Sequence, residues 1–65
     1  MCESNAYIIK DGKEELLAKD VSYLSIEKSK VVLISIDGKR YELDNTVIDY
    51  IDFLKHKIVL KPITI

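Results

Sequence analysis

Two Asp-Gly pairs, Asp11-Gly12 and Asp37-Gly38, punctuate a chain otherwise dense in β-branched and aromatic residues. Asp-Gly between apolar runs is a strong hairpin signal, because a two-residue type I′ turn needs positive φ at both central positions. The first predicted hairpin joins residues 5–10 to 13–18, and the second joins 31–36 to 39–43. The stretches IIKDGKEEL and ISIDGKRYEL resemble each other. Shared turn chemistry accounts for that likeness, and no repeat is read from it.

The segments between and after the turns continue the pattern. In DVSYLSIE, residues 20–27, Val21, Tyr23 and Ser25 fall on one face, and Ser22, Leu24 and Ile26 on the other. Lys28-Ser29-Lys30 is a polar turn. VVLISI, residues 31–36, is apolar on both faces, so it belongs in a closed core or against another subunit. The alternation of Arg40, Tyr41, Glu42 and Leu43 points Tyr41 and Leu43 inward. TVIDYIDFL, residues 46–54, is ambiguous. Val47, Ile48, Ile51 and Leu54 fit a helical stripe that Asn45 or Thr46 would cap, whereas β-branched and aromatic density favours a strand. KEELLAK, residues 13–19, has helix formers enough for a single helical turn. Lys55-His56-Lys57 is a further polar turn, residues 58–60 form the last strand, and Pro62 belongs at an edge or past the sheet. The expectation is an all-β fold, a small strongly bent sheet or barrel of six or seven short strands.

The 65 residues make one domain, 1–65. A chain of this size buries only about 60% of its unfolded surface, so a partner chain or a metal would add needed stability. Its single cysteine closes the route through an internal disulfide. With 48% apolar and 32% charged residues, the composition is that of a folded domain and excludes disorder. Ten basic and 11 acidic residues leave a net charge of −1, which argues against an electrostatic lure for nucleic acid or anionic membrane. No apolar run approaches the length that spans a bilayer. MCESNAYIIK lacks a basic region followed by an apolar stretch, so no signal peptide is read and the expected location is cytoplasmic, with a reduced thiol.

That thiol is Cys2, next to the initiator methionine. A lone cysteine is most often a small buried hydrophobe or an inert thiol. Here the Met1 terminal amine, the first amide nitrogen and the Cys2 sulfur lie within a few bonds and can close two five-membered chelate rings on one metal. Removal of Met1 would leave an even shorter amine–thiolate chelate. Nitrogen donors with a thiolate in a plane suit nickel(II) or copper(II), and a tetrahedral set of sulfurs suits zinc. One chain supplies one sulfur, so a second chain would supply another.

Other candidates weigh less. His56 is the only histidine and a good nickel ligand by type, yet it sits between Lys55 and Lys57, which disfavour a bound dication. Glu3 offers a hard oxygen poorly matched to a planar thiolate site. Ser4 and Asn5 are hydrogen-bonding candidates for orienting the chain start. Asp49 and Asp52 would share a face only on a helix, and read better as a solvated surface. Tyr7, Tyr23, Tyr41, Tyr50 and Phe53 would stack bases only beside a basic groove, and the charges are interspersed, so core and interface packing is their reading. Both glycines are used in turns, so there is no phosphate loop. No arrangement of nucleophile and base has supporting local chemistry, and the chain is not read as an enzyme.

Met1-Cys2-Glu3-Ser4 before a short apolar strand, KDGKEELLAKDV, and a closing IDFLKHKIVL together resemble the CooT family of small nickel-binding proteins. Some members accompany carbon monoxide dehydrogenase maturation, and such proteins are also described as RNA-binding on grounds of barrel similarity. The resemblance implies a homodimer of small β-barrels that binds nickel through the cysteine after the initiator methionine. Only Cys2 carries over as a ligand, with the Met1 amine beside it if retained. The implied role is delivery or buffering of nickel for a metalloenzyme such as carbon monoxide dehydrogenase, with that client or its maturation factors as partners. Copper is the competing metal, and a small-barrel RNA-binding module is the alternative reading.

Overall fold

The computed structural model describes residues 3–63. Six strands follow one another: β1 (Ser4–Lys10), β2 (Lys13–Glu27), β3 (Lys30–Ser35), β4 (Arg40–Leu43), β5 (Thr46–Asp52) and β6 (Lys57–Pro62). They form one mixed sheet in the order β4-β3-β2-β1-β6-β5. The β1–β6 pair is parallel and every other pair is antiparallel. The all-β expectation therefore holds. The ambiguous stretch at 46–54 contributes strand β5, and the helix formers at 13–19 lie in strand β2.

The first Asp-Gly pair behaves as expected, with φ of 53° at Asp11 and 76° at Gly12 and Lys10 opposite Lys13. The second does not. Only Gly38 has positive φ, at 90°. The Gly38 amide donates to the Ser35 carbonyl (2.9 Å) and the Ser35 amide to the Lys39 carbonyl (2.9 Å). This is a three-residue loop, a turn followed by a left-handed glycine. Ser35 explains the departure. Its hydroxyl donates to the Asp37 carboxylate, which also accepts the Lys39 amide at 3.1 Å. The Asp37 side chain thus serves the loop from a position that a two-residue turn would not give it. The polar turn after Glu27 is the type I′ hairpin made without glycine, with Lys28 at φ 46° and Ser29 at 68°.

Among the described residues the count is six, the lower of the two expected, because β2 is one strand of 15 residues where two were expected. Its first half pairs with β1 and its second half with β3. Register shifts fall at Leu17, around Lys19-Asp20, and at Ser22. Each inserts a residue that the partner lacks, and bulges bend a strand and raise its twist. The bend centres on Asp20, whose φ is +54°. Its amide donates to Asn5 Oδ1 (3.2 Å), and its carbonyl accepts from the Ile36 amide (2.8 Å). Ala6 and Ala18 face each other across this bend, 0% and 3% exposed. Two small side chains let the sheet fold tightly on itself there.

The concave face holds the core: Ala6, Ala18, Val21, Val31, Leu33, Ile58 and Leu60, with Ile48, Ile51, Tyr41 and Leu43 packed against it. Tyr41 and Leu43 face inward as their alternation required. In β3, Val31 and Leu33 fill the core while Val32, on the opposite face, is also buried. Glu42 stands opposite Val32 and pairs with Lys30 (2.8 Å) and Arg40 (2.7 Å). Long charged side chains shelter apolar surface with their stems, which is consistent with the burial of Val32 beside this ion-paired group.

The expected barrel does not close. Edge strands β4 and β5 are joined in sequence by Asp44-Asn45, and the Thr46 amide donates to the Ser29 carbonyl (2.9 Å), so the edges converge at that end. Among the described residues no ladder joins them. The four residues of β4 carry outward Arg40 and Glu42, and β5 is bulged at Asp49. Charge and bulges are what blunt a free edge. Pro62 ends β6 beyond the last β1 partner and faces only Thr46, so its missing N–H breaks no interior ladder.

Candidate metal centre at the chain start

Met1 and Cys2, the residues expected to hold a metal, lie outside the described residues. The structure does locate the place to which they are bonded. Parallel pairing sets Asn5 beside Lys57, and the Asn5 amide donates to the His56 carbonyl at 2.9 Å. The start of β1 therefore lies against the loop between β5 and β6, residues 53–56. Two connections fix it: the Asn5 side chain to the β2 bend, and the Asn5 backbone to His56. Asn5 thus ties the first strand to the β2 bend and to the β5–β6 loop.

His56 is exposed and has φ of 52°. Its carbonyl serves β1, so its place beside the chain start arises from strand topology, which the sequence spacing of 54 residues from Cys2 hides. Glu3 is half-buried. Asp49 and Asp52 do not come together as a pair. Asp49 lies 3.9 Å from Lys61 Nζ, and Asp52 Oδ1 accepts the Lys55 amide at 3.1 Å, holding the β5–β6 turn. Among the described residues there is no group of three or more histidines, cysteines or carboxylates arranged to hold a metal.

A polar cluster that strand reading missed lies on the convex face. Lys57 Nζ contacts Glu14 Oε1 (2.5 Å), and the Tyr50 hydroxyl donates to Glu14 Oε2 (2.6 Å). Lys57 Nζ also sits 5.2 Å from the Tyr7 ring centre and 6.0 Å from that of Tyr50. Hydrogen bonding to Lys57, then to Tyr50, holds the Glu14 carboxyl below its ordinary value, and Glu14 in turn raises Lys57 and Tyr50. One side chain from each of β1, β2, β5 and β6 is thereby tied together just past the chain start. Its signal is weak in the sequence because it depends on strand order β2-β1-β6-β5, which no local pattern encodes. Of the other aromatics, Tyr41 packs on the core, while Tyr23 and Phe53 are 54% and 81% exposed. Of the five rings expected to serve core or interface packing, Tyr41 is the one that packs on the core.

A groove of about 420 Å³ opens between the first half of β2 and the β3–β4 loop, walled by Leu16, Leu17, Ile36 and Tyr41 with Lys19 and Lys39 at its rim. Among the described residues no histidine or cysteine lines it, so those residues offer nothing to a soft metal.

The family model for the CO dehydrogenase accessory protein CooT matches residues 1–61. The chain belongs to the CooT family. Among solved structures, that of a protein assigned as CooT from Carboxydothermus hydrogenoformans matches with a TM-score of 0.86 and 28% identity, covering 97% of this chain and 100% of that one. No protein of curated function is a match. The CooT match begins at residue 1, so it takes in the Met1-Cys2 pair along with the sheet. No helix among the described residues is long and apolar enough to cross a membrane, which leaves strands unaddressed.

Proposed function

We propose that this chain is a non-catalytic cytoplasmic nickel carrier for carbon monoxide dehydrogenase maturation, holding its cargo between the Cys2 residues of two chains. The observation that carries the reading is the CooT family match over residues 1–61, a family of CO dehydrogenase accessory proteins. Physical chemistry supplies the rest. A thiolate beside an amide nitrogen and the Met1 amine is a nickel(II) donor set, with copper(II) the competitor by raw affinity. A twofold homodimer brings the same residue of each chain together, so two sulfurs meet at one ion. Nickel is handed over rather than retained, and a site at the chain start suits ligand exchange with an acceptor.

The RNA-binding alternative draws less support. Tyr7 and Tyr50 do share a face with Lys57, but that cation is already paired with Glu14, so the face lacks the basic groove that base stacking needs.

The test is a nickel titration of the native chain and of Cys2→Ser, following thiolate-to-nickel charge-transfer absorption. The native chain saturates at one nickel per two chains, and Cys2→Ser shows no such band. Equal binding by both defeats the reading. Acidification releases the metal, because thiolate and amine must lose protons to ligate.

A further inference from the structure

The two Asp-Gly pairs are alike in sequence and held differently in the fold. An aspartate followed by glycine is prone to ring closure, because no Cβ on the next residue shields its backbone nitrogen from the side-chain carboxyl. Closure needs a carboxyl group free to swing over that nitrogen, and a nitrogen free of its own acceptor. At Asp37-Gly38 both groups are engaged. The Asp37 carboxylate accepts from the Ser35 hydroxyl and from the Lys39 amide (3.1 Å), and the Gly38 amide donates to the Ser35 carbonyl (2.9 Å). The Ser35 hydroxyl, then the Lys39 amide, also hold the Asp37 carboxyl below its ordinary value, which keeps it in the ionised form that does not close. At Asp11-Gly12 both groups are open. The two residues are exposed at the hairpin tip. Among the described residues the Asp11 carboxylate has no hydrogen-bond or ion-pair partner, and the Gly12 amide has no backbone acceptor. Crowding does not separate the pairs, since a Cβ on either glycine would meet no atom within 4 Å. Hydrogen bonding does.

We propose that Asp11-Gly12 is a site of spontaneous covalent modification, isomerising to isoaspartate through a succinimide, while the Ser35 loop protects Asp37-Gly38. The Gly12 nitrogen attacks Cγ of the protonated Asp11 carboxyl. A bond from nitrogen to Cγ forms, and the nitrogen's proton leaves with the carboxyl hydroxyl as water. Water then adds to one of the two ring carbonyls. Addition at the Asp11 main-chain carbonyl breaks its bond to the Gly12 nitrogen, so the backbone now runs through Cβ and Cγ. Addition at Cγ restores aspartate. No electrons are transferred, and the water released in the first step is balanced by the water taken up in the second. The product lengthens the backbone of a two-residue turn, the turn that sets Lys10 opposite Lys13, so the change falls on the register of the hairpin. Isoaspartate is also the substrate class of carboxyl methyltransferases that use S-adenosylmethionine, and this turn is where such an enzyme would recognise an aged chain. The turn lies at the far end of β1 from the chain start, so the modification stands or falls without the nickel site.

The experiment incubates the native chain and Ser35→Ala in mildly acidic heavy-oxygen water, with a native sample unfolded in urea as the reference. Peptide mapping by mass spectrometry follows each Asp-Gly pair. Ring opening incorporates heavy oxygen, and fragmentation distinguishes isoaspartate from aspartate. The unfolded chain gives each pair its rate without structure. Relative to that rate, Asp11 of the folded native chain takes up label and accumulates isoaspartate about tenfold faster than Asp37, the difference expected from one hydrogen bond to a charged group. Ser35→Ala, with unchanged circular dichroism, labels about tenfold faster at Asp37 and unchanged at Asp11. Equal protection of the two pairs in the folded native chain, or faster labelling at Asp37, overturns the proposal. So does a folded Ser35→Ala chain whose Asp37 keeps the native rate, since the Ser35 hydroxyl would then protect nothing. Should Ser35→Ala not fold, the comparison of folded and unfolded native chain decides alone.

Discussion

Substitutions at Asp20 separate backbone strain from side-chain contact at the bend that shapes the sheet. Asp20 is exposed, and the contacts that define its role are made by its backbone, the amide to Asn5 Oδ1 and the carbonyl to the Ile36 amide. Any residue but proline preserves both. What changes is the ease of holding φ at +54°. A left-handed conformation costs about 1–2 kcal/mol for an ordinary L-residue, less for aspartate and nothing for glycine. Asp20→Val, β-branched and stiff, is expected to lower stability by about 1–2 kcal/mol. For a domain of this size that lowers Tm by roughly 4–16 °C, at about 4–8 °C per kcal/mol. Asp20→Gly removes the strain but adds unfolded-state freedom worth about 0.5–1 kcal/mol, so it stays close to the native value. Thermal and urea unfolding followed by circular dichroism read both. A valine variant as stable as the native chain would show that the bend does not hold a left-handed residue. The reasoning would equally be refuted by a glycine variant that falls as far as valine.

Two predictions concern other parts of the sheet. Leu33 is fully buried, and Leu33→Ala is expected to lose about 2–5 kcal/mol, against about 3–10 kcal/mol of total stability expected for 65 residues; a urea midpoint that moves by less than a tenth would place Leu33 outside the core. Hydrogen bonds and charge from Lys30 and then Arg40 hold Glu42 near 2, below its ordinary 4.5, so it contributes stability that is full above pH 4.5 and is lost as pH falls toward 2. Urea midpoints at pH 6 and pH 3 should therefore fall further for the native chain than for Glu42→Gln, and equal falls would contradict the pairing.

What the sequence disclosed, and what it hid, divides along local against non-local information. Asp11-Gly12 announced its turn because both central residues carry the needed φ on their own account. Asp37-Gly38 misled because the Ser35 hydroxyl, two positions away, captured the Asp37 carboxylate and favoured a longer loop. Residues 13–27 read as two segments because three inserted residues interrupt the alternation, and bulges are defined by a partner strand that the sequence does not name. Tyr41 and Leu43 were legible because a short strand with one dry face alternates cleanly. The failure to close was not legible, since hairpin signals are the same for a barrel and for a curled sheet with blunted edges. At the candidate site, Cys2 stood out by its chemistry alone. The closeness of its end of β1 to His56 and to the Phe53-Leu54 tip follows from the parallel β1–β6 pair, the longest-range pairing in the fold.

The carrier account stands on two sulfurs from two chains meeting at one ion. Nickel K-edge absorption of the loaded protein counts those sulfurs directly, in the native chain and in a mixture of native and Cys2→Ser chains. The account predicts two sulfur scatterers per nickel with nitrogen completing a planar set, and a drop toward one in mixed dimers. A single sulfur per nickel in the native protein, with one ion per chain, would contradict it.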